Sequence, residues 1–407
     1  MGFLDRFKKE PPREAFVKEY IAALRRSGEQ RTVEFNDKEF ALSIKGADGK
    51  IANVRNLANC FRDYEAASAG ERQAIIDKYV RAMVVPPLPS DWPSVRSMIR
   101  PVVKDRWAAD LAYLHQRVLS PTMAEPIPFQ PLTSDLAIFP VLDLPESMKA
   151  VMAKDLRDWG VGADQVMETA LHNFKTANVA NPFKAAGRLQ VAQVGDAYDA
   201  TRLLLTEQIS ALRLQGHPVA LAADRELLMV AGASDVAALG DMVTLALKRF
   251  KDGQRPVSGR PVELVEGIWR DFDPPASVAV AFGQLRRFMD HGRYDTQGDL
   301  LRKDLVARAE DVFVAKYALG SKDKGITFES NVTWSDGIVT LLPEADQLVF
   351  VQAASKTAHL CSWDRAAAVV ARRMERTDHY PPRWKVSSFP SAEEFAAMGA
   401  RKVAIGG

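Results

Sequence analysis

The chain has 407 residues, room for two or three domains at roughly 150 residues each. Hydrophobic residues make up 47% and charged residues 26%, the balance of an ordinary globular protein. Lys and Arg number 54 against 52 for Asp and Glu, a net charge of +2, which argues against a basic nucleic-acid binder and against an acidic tail.

Two cysteines, Cys60 and Cys361, do not make a disulfide framework in a chain of this length. Cys60 repeats with Leu57, Phe61 and Tyr64 at helical spacing and reads as a buried small hydrophobe. No apolar run reaches the roughly 18 residues that a membrane span needs. The most apolar stretch, Leu227 to Leu247, is interrupted by Asp235 and Asp241. No signal-peptide hydrophobic region follows the start, so a reducing cytoplasm is expected. Residues 1–12 read as a flexible terminus. Phe3, Leu4 and Phe7 with Arg6, Lys8 and Lys9 offer at most a weak contact with a membrane surface.

In chain order, Pro12 precedes a helix with Phe16, Val17, Tyr20, Ile21 and Leu24 on one face, ended by Gly28. The period then changes to two. Thr32–Phe35 and Phe40–Ile44 flank Asn36-Asp37-Lys38, a hairpin signal. Helical faces follow at Leu57–Tyr64 and Ile75–Met83, up to Pro86-Pro87-Leu88-Pro89. Leu136–Leu142 reads as a strand, placed at a sheet edge because of Pro140. Met148–Met152 follows after a turn, and then a helix capped by Asp164. Val219–Ala222 and Leu227–Val230 form the next strand pair, followed by a helix through Phe250. Ile338–Leu342 and Leu348–Val351 form another, followed by a helix from Trp363.

The theme is a recurring strand–turn–strand–helix module, either a duplication or the common hairpin covered by the next amphipathic helix. The expected class is α+β with antiparallel sheets. Residues 188–271 follow the order strand, helix, strand, strand, helix, strand of a ferredoxin-like unit. Asp273-Pro274-Pro275 is the expected boundary between a domain over 13–272, divisible into 13–90 and 91–272, and a C-terminal domain over 276–407. The latter opens with two helical stretches, near Val278–Met289 and Leu300–Ala309.

Catalytic signatures are missing: there is no nucleophile elbow, P-loop, dinucleotide fingerprint or His-Glu-x-x-His. None of the six histidines pairs with another at metal-ligand spacing, and His359-Leu360-Cys361 lacks further ligands, so neither metal nor cofactor is expected. The densest polar cluster is Gly195-Asp196-Ala197-Tyr198-Asp199-Ala200-Thr201-Arg202, at a strand-to-helix junction. Its structural reading has Asp196 as the helix cap, Asp199 in the first turn and Arg202 paired to Asp199 at i, i+3. Tyr198, Leu205, Ile209 and Leu212 then face the core.

Asp196-Ala197-Tyr198-Asp199-Ala200-Thr201-Arg202-Leu203-Leu204 resembles the Asp-x-Tyr-Asp-Ala-Ser-Arg-Ile-Leu stretch of the YtpQ-like family of uncharacterised bacterial proteins. Glu168-Thr169-Ala170-Leu171-His172-Asn173-Phe174 resembles that family's Glu-Thr-Ala-x-x-Asn-Leu segment. Ser97–Val103 is a looser version of its Arg-x-Tyr-Pro-Val-x-Arg strand, without the Tyr. The resemblance covers roughly Arg31 to Asp271. It implies a cytoplasmic bacterial protein and singles out Asn173, Asp196, Tyr198, Asp199 and Arg202 as the candidate binding residues. It carries no activity.

Three functions compete. The first is a non-catalytic module that binds a protein partner through its sheet edges. The second is a small hydrolase or transferase, with Asp196 or Asp199 as acid or base and Arg202 holding an anion. The third is a membrane-surface protein tethered by Phe3, Leu4 and Phe7.

Overall fold

The computed structural model describes residues 13–404 apart from 47, 50, 83–88, 90, 122–123, 146, 253–255 and 322–326. The expected contact of Phe3, Leu4 and Phe7, and most of the proline run at 86–89, lie outside the described residues. The class is α+β, with several antiparallel sheets. The chain forms two compact units, Met1–Val95 with Asp143–Lys149, and Arg96–Leu142 with Ala150–Gly407.

In the first unit, helix Arg13–Arg26 precedes strands Thr32–Asn36, Ala41–Lys45 and Ile51–Asn56, which pair in that order as an antiparallel meander. The hairpin pairs Asn36 with Ala41, and the Asn36 side chain accepts from the Glu39 amide at its turn. Helices Ala58–Ala66 and Arg72–Arg81 close the unit. Phe16, Tyr20, Leu24, Leu42, Leu57, Cys60, Tyr64 and Ile76 form one core, which is why apolar residues recur every three or four positions in the helices. Cys60 is buried there, as its spacing predicts.

The second unit is organised around a six-stranded antiparallel sheet. Its order is Ile268–Asp271, Val262–Val265, Pro218–Asp224, Leu227–Gly232, Leu189–Ala192 and Lys184–Ala186. Apart from Asp224 at the end of the first, the two central strands are apolar because both faces are covered. Val219, Leu221, Met229 and Ala231 pack on helix Val236–Lys251. Ala220, Ala222, Leu228 and Val230 pack on the other side with Phe174, Leu203 and Trp269. Over 188–271 the order read from the sequence holds through Val262–Val265, but a further strand, Ile268–Asp271, follows. Leu189–Ala192 pairs antiparallel with Leu227–Gly232, where a ferredoxin-like split βαβ unit would pair its first and third strands in parallel. The first helix is also broken. A 3₁₀ turn, Ala200–Leu204, is followed by a short helix, Thr206–Ser210.

Five other expectations differ from the structure. The strand Leu136–Leu144 is central, lying between Ile99–Asp105 and Gln130–Pro131. Pro140 faces Pro101 there, and its carbonyl points the other way, accepting from the Val151 amide. Its missing amide hydrogen therefore lies on the side away from Ile99–Asp105, and no bond of that ladder is lost. Asp164 lies in the first turn of helix Ala163–Ala177, whose N-cap is Gly162.

The strands Thr340–Pro343 and Gln347–Gln352 do not pair as a hairpin. The first pairs with Phe313–Val314 and Arg383–Val386, the second with Phe328–Ser335 and Thr357–Ser362. Asp346 in the connection is gripped by Arg287 and Ser330, which carries the chain from one sheet to the other. Two of these pairings, Phe313–Val314 with Thr340–Pro343 and Phe328–Ser335 with Gln347–Gln352, are parallel.

Finally, Asp273-Pro274-Pro275 does not divide compact units, since residues on either side belong to the second unit. Pro275 is instead the N-cap of one continuous helix, Ala276–Ala307. The polar stretch that separates the two expected helical segments is itself buried at Arg293 and Gln297.

Candidate functional site

The turn that carries the candidate residues is fastened to the sheet before any of them acts. The Thr201 hydroxyl accepts from the Val103 amide, the Ala200 amide donates to the Arg225 carbonyl, and the Trp269 indole donates to the Leu203 carbonyl. Gly195 and Ala197 both adopt positive φ, 83° and 68°, which folds the chain back on itself. Glycine takes that conformation freely, whereas alanine does so at a cost.

Within this turn Asp196, Asp199 and Arg202 come together. Arg202 donates to both Asp196 oxygens, at 2.9 and 2.6 Å, and to Asp199 Oδ1 at 2.9 Å. Asp199 also accepts from the Val194 and Gly195 amides at 2.7 and 2.9 Å. Its expected helix-start role is thus replaced by a backward clasp on the preceding strand end. Asp196 does not cap a helix either: it accepts from the Tyr198 amide two residues on, a local turn typical of Asp. Asp199 is 0% exposed and Arg202 4%, while Asp196 keeps 42%. Hydrogen bonding from Arg202 holds the Asp196 carboxyl below the usual carboxylate range. Burial would lower the Arg202 guanidinium, but Asp196 and Asp199 outweigh it and raise it.

Asn173 takes no part in this cluster's hydrogen bonds. Its amide donates to the Arg96 and Ile99 carbonyls, pinning helix Ala163–Ala177 to the start of a strand. The Tyr198 ring packs on Phe174, the neighbour of Asn173 in sequence, with ring centroids 5.9 Å apart. Tyr198, Leu205, Ile209 and Leu212 do meet the core as the spacing predicts.

A second polar cluster escapes a reading of the sequence. Arg293 donates to Asp105 at 2.7 Å, Asp135 at 3.2 Å and Asp290 at 2.9 Å. The Tyr380 hydroxyl donates to Asp135 at 2.9 Å, and Arg260 lies 3.4 Å from it. Three carboxylates thus share two guanidinium groups in a buried setting. Burial pushes the Asp105 carboxyl up to about 6 against the pull of Arg293. Burial raises Asp290 as well. Asp135 is lowered, because Arg293, Arg260 and Tyr380 outweigh its burial. The only sequence signal is Asp290 and Arg293 at i, i+3, which is equally the mark of a solvated helix face.

His359 stacks on Phe395 at a centroid distance of 4.2 Å, and the Cys361 thiol points to the Met398 carbonyl at 3.7 Å. Among the described residues no three His, Cys, Asp or Glu side chains converge as a metal ion would require. Among them, too, no helix is long and apolar enough to cross a membrane. No protein-family model, curated protein or solved structure matches this chain.

Proposed function

We propose that this chain is a non-catalytic protein-binding or scaffold module, and that its partner adds an extended strand to Ile51–Asn56. The observation that carries this reading is a sheet edge of mixed sequence, Ile-Ala-Asn-Val-Arg-Asn, that exposes two large apolar side chains. Ile51–Asn56 is the last strand of the first unit's meander, and it exposes Ile51 at 53% and Val54 at 43%. An edge strand presents unpaired backbone donors and acceptors, and proteins usually blunt such edges with charge or proline. Backbone pairing would supply the affinity, and Ile51 and Val54 the apolar anchors.

The enzyme reading has less support. A general acid or base works best with its pKa near the working pH, whereas Asp196 is held ionised. Arg202 already donates to two carboxylates and is almost wholly buried. Kinship with the YtpQ-like family, and the bacterial cytoplasmic location it implies, rest on the Asp196–Leu204 and Glu168–Phe174 stretches and are proposed on that ground. The membrane-surface reading rests on residues outside those described.

A photo-crosslinking amino acid at position 54 of the full chain, used in the native host, tests the proposal. One dominant protein adduct is expected, and Ile51→Lys should remove it while thermal stability stays unchanged. No adduct, or one that Ile51→Lys leaves intact, would count against it.

A further inference from the structure

We propose that a cavity in the second unit binds a small organic anion, a carboxylate, sulfonate or phosphate carried on an apolar ring, with Arg286 receiving the charge. The cavity holds about 540 Å³, within the range of small-molecule sites. Its walls are Gly259–Pro261, Phe272–Pro274, the first turns of helix Ala276–Ala307, and Thr327–Glu329.

The walls are fixed by contacts that leave the cavity open. Gln284 holds Phe328 by both ends of its amide, accepting from the Phe328 nitrogen and donating to its carbonyl. The Phe328 ring packs edge-on against Phe288, centroids 5.2 Å apart. Gly259 lies so close to the helix that an added Cβ would come within 2.9 Å of Met289 Sδ and 3.3 Å of the Arg286 backbone. Phe272, Phe282 and Phe328 give the cavity an apolar lining suited to a ring.

Three arginines line the same space, and they differ in what they already hold. Arg287 is occupied by Asp346 through two parallel hydrogen bonds of 2.7 and 2.8 Å. Arg260 makes only loose ion pairs, 3.4 Å to Asp135 and 3.8 Å to Asp271, and its buried Nε has no hydrogen-bond partner. Arg286 is half-buried and makes no hydrogen bond or ion pair among the described residues. Asp290, one helical turn away, feels the Arg286 charge but accepts its hydrogen bond from Arg293.

A guanidinium offers five donors in a planar fork that matches carboxylate, sulfonate and phosphate oxygens. With its donors open beside an aromatic wall, Arg286 is set to take the charged end of a ligand whose ring lies on the phenylalanines. Asp273 and Glu329 also line the cavity, and they select against ligands of high negative charge. All the lining residues of the cavity belong to the second unit, and Ile51–Asn56 belongs to the first.

The test uses the full chain and two fluorescent probes with the same ring system. 8-Anilinonaphthalene-1-sulfonate carries an anion, and N-phenyl-1-naphthylamine does not. The wild-type chain should bind the sulfonate at one saturable site. Arg286→Gln should weaken that binding about ten- to a hundredfold, the loss of hydrogen bonds to a charged group, and leave the neutral probe unchanged. Ala279→Trp, which fills the cavity from the helix, should weaken both probes. The proposal is overturned if the wild type shows no saturable sulfonate binding, if Arg286→Gln binds it as well as wild type or loses both probes equally, or if Ala279→Trp changes neither.

Discussion

Arg202 stands between two carboxylates of different standing. Asp199 is sealed in and also accepts two backbone amides, whereas Asp196 reaches solvent. Removing the guanidinium leaves a buried charge without its counter-ion, so Arg202→Met should cost about 3–5 kcal/mol. Asp196→Asn keeps an acceptor for the Tyr198 amide and loses only a half-exposed ion pair, so it should cost at most about 1 kcal/mol. Urea denaturation of both variants checks this ordering, and equal losses would contradict it.

Asp105 gives a pH signature of the opposite kind from an ordinary salt-bridged carboxylate. Its folded-state pKa, about 6, lies above the unfolded value of about 3.8, so the folded state binds the proton more tightly. Stability from this group is therefore fully present below about pH 4 and is lost as pH rises through about 6. The wild type minus Asp105→Asn difference in unfolding free energy should fall by about 2–3 kcal/mol over that window and be flat above pH 7. A difference that does not change with pH would rule out the buried proton.

At the scale of elements, legibility followed periodicity. The opening helix, the hairpin at Asn36–Ala41 and the central pair Pro218–Asp224 and Leu227–Gly232 have one dominant local pattern, and all three are present. What could not be read depends on partners distant in sequence. Arg293 looks like solvated polar surface until Asp105 and Asp135 meet it. Thr340–Pro343 and Gln347–Gln352 look like a hairpin until Arg287 holds the Asp346 turn between two sheets. The Asp196–Arg202 cluster was legible as a group of residues, but the backward clasp of Asp199 needs the positive-φ turn at Gly195 and Ala197.

One close approach within an element also has a measurable consequence. A Cβ at Gly232 would lie 2.2 Å from the Gln215 carbonyl oxygen and 2.6 Å from its nitrogen, both backbone atoms that cannot swing aside. Gly232→Ala should therefore destabilise the second unit by about 1–3 kcal/mol. A thermal melt unchanged from wild type would mean that the strand end can move.

At the scale of the whole molecule, the chain has two compact units with separate cores. Calorimetry should resolve two transitions. Leu42→Ala should lower one and Leu228→Ala the other, each by about 2–5 kcal/mol of local stability. A single transition shifted by both variants would show that the units unfold together.

In the proposed function the partner binds at the Ile51–Asn56 edge, and the Asp196–Arg202 cluster takes no part in that binding. The most direct measurement is the yield of the position-54 crosslink to its partner in Asp196→Asn and in Ile51→Lys, compared at equal protein level. Asp196→Asn should keep the wild-type yield and Ile51→Lys should lose at least nine-tenths of it, roughly the tenfold that about 1.4 kcal/mol of lost binding gives. Loss of the adduct in Asp196→Asn, with Ile51→Lys unaffected, would contradict the proposed function.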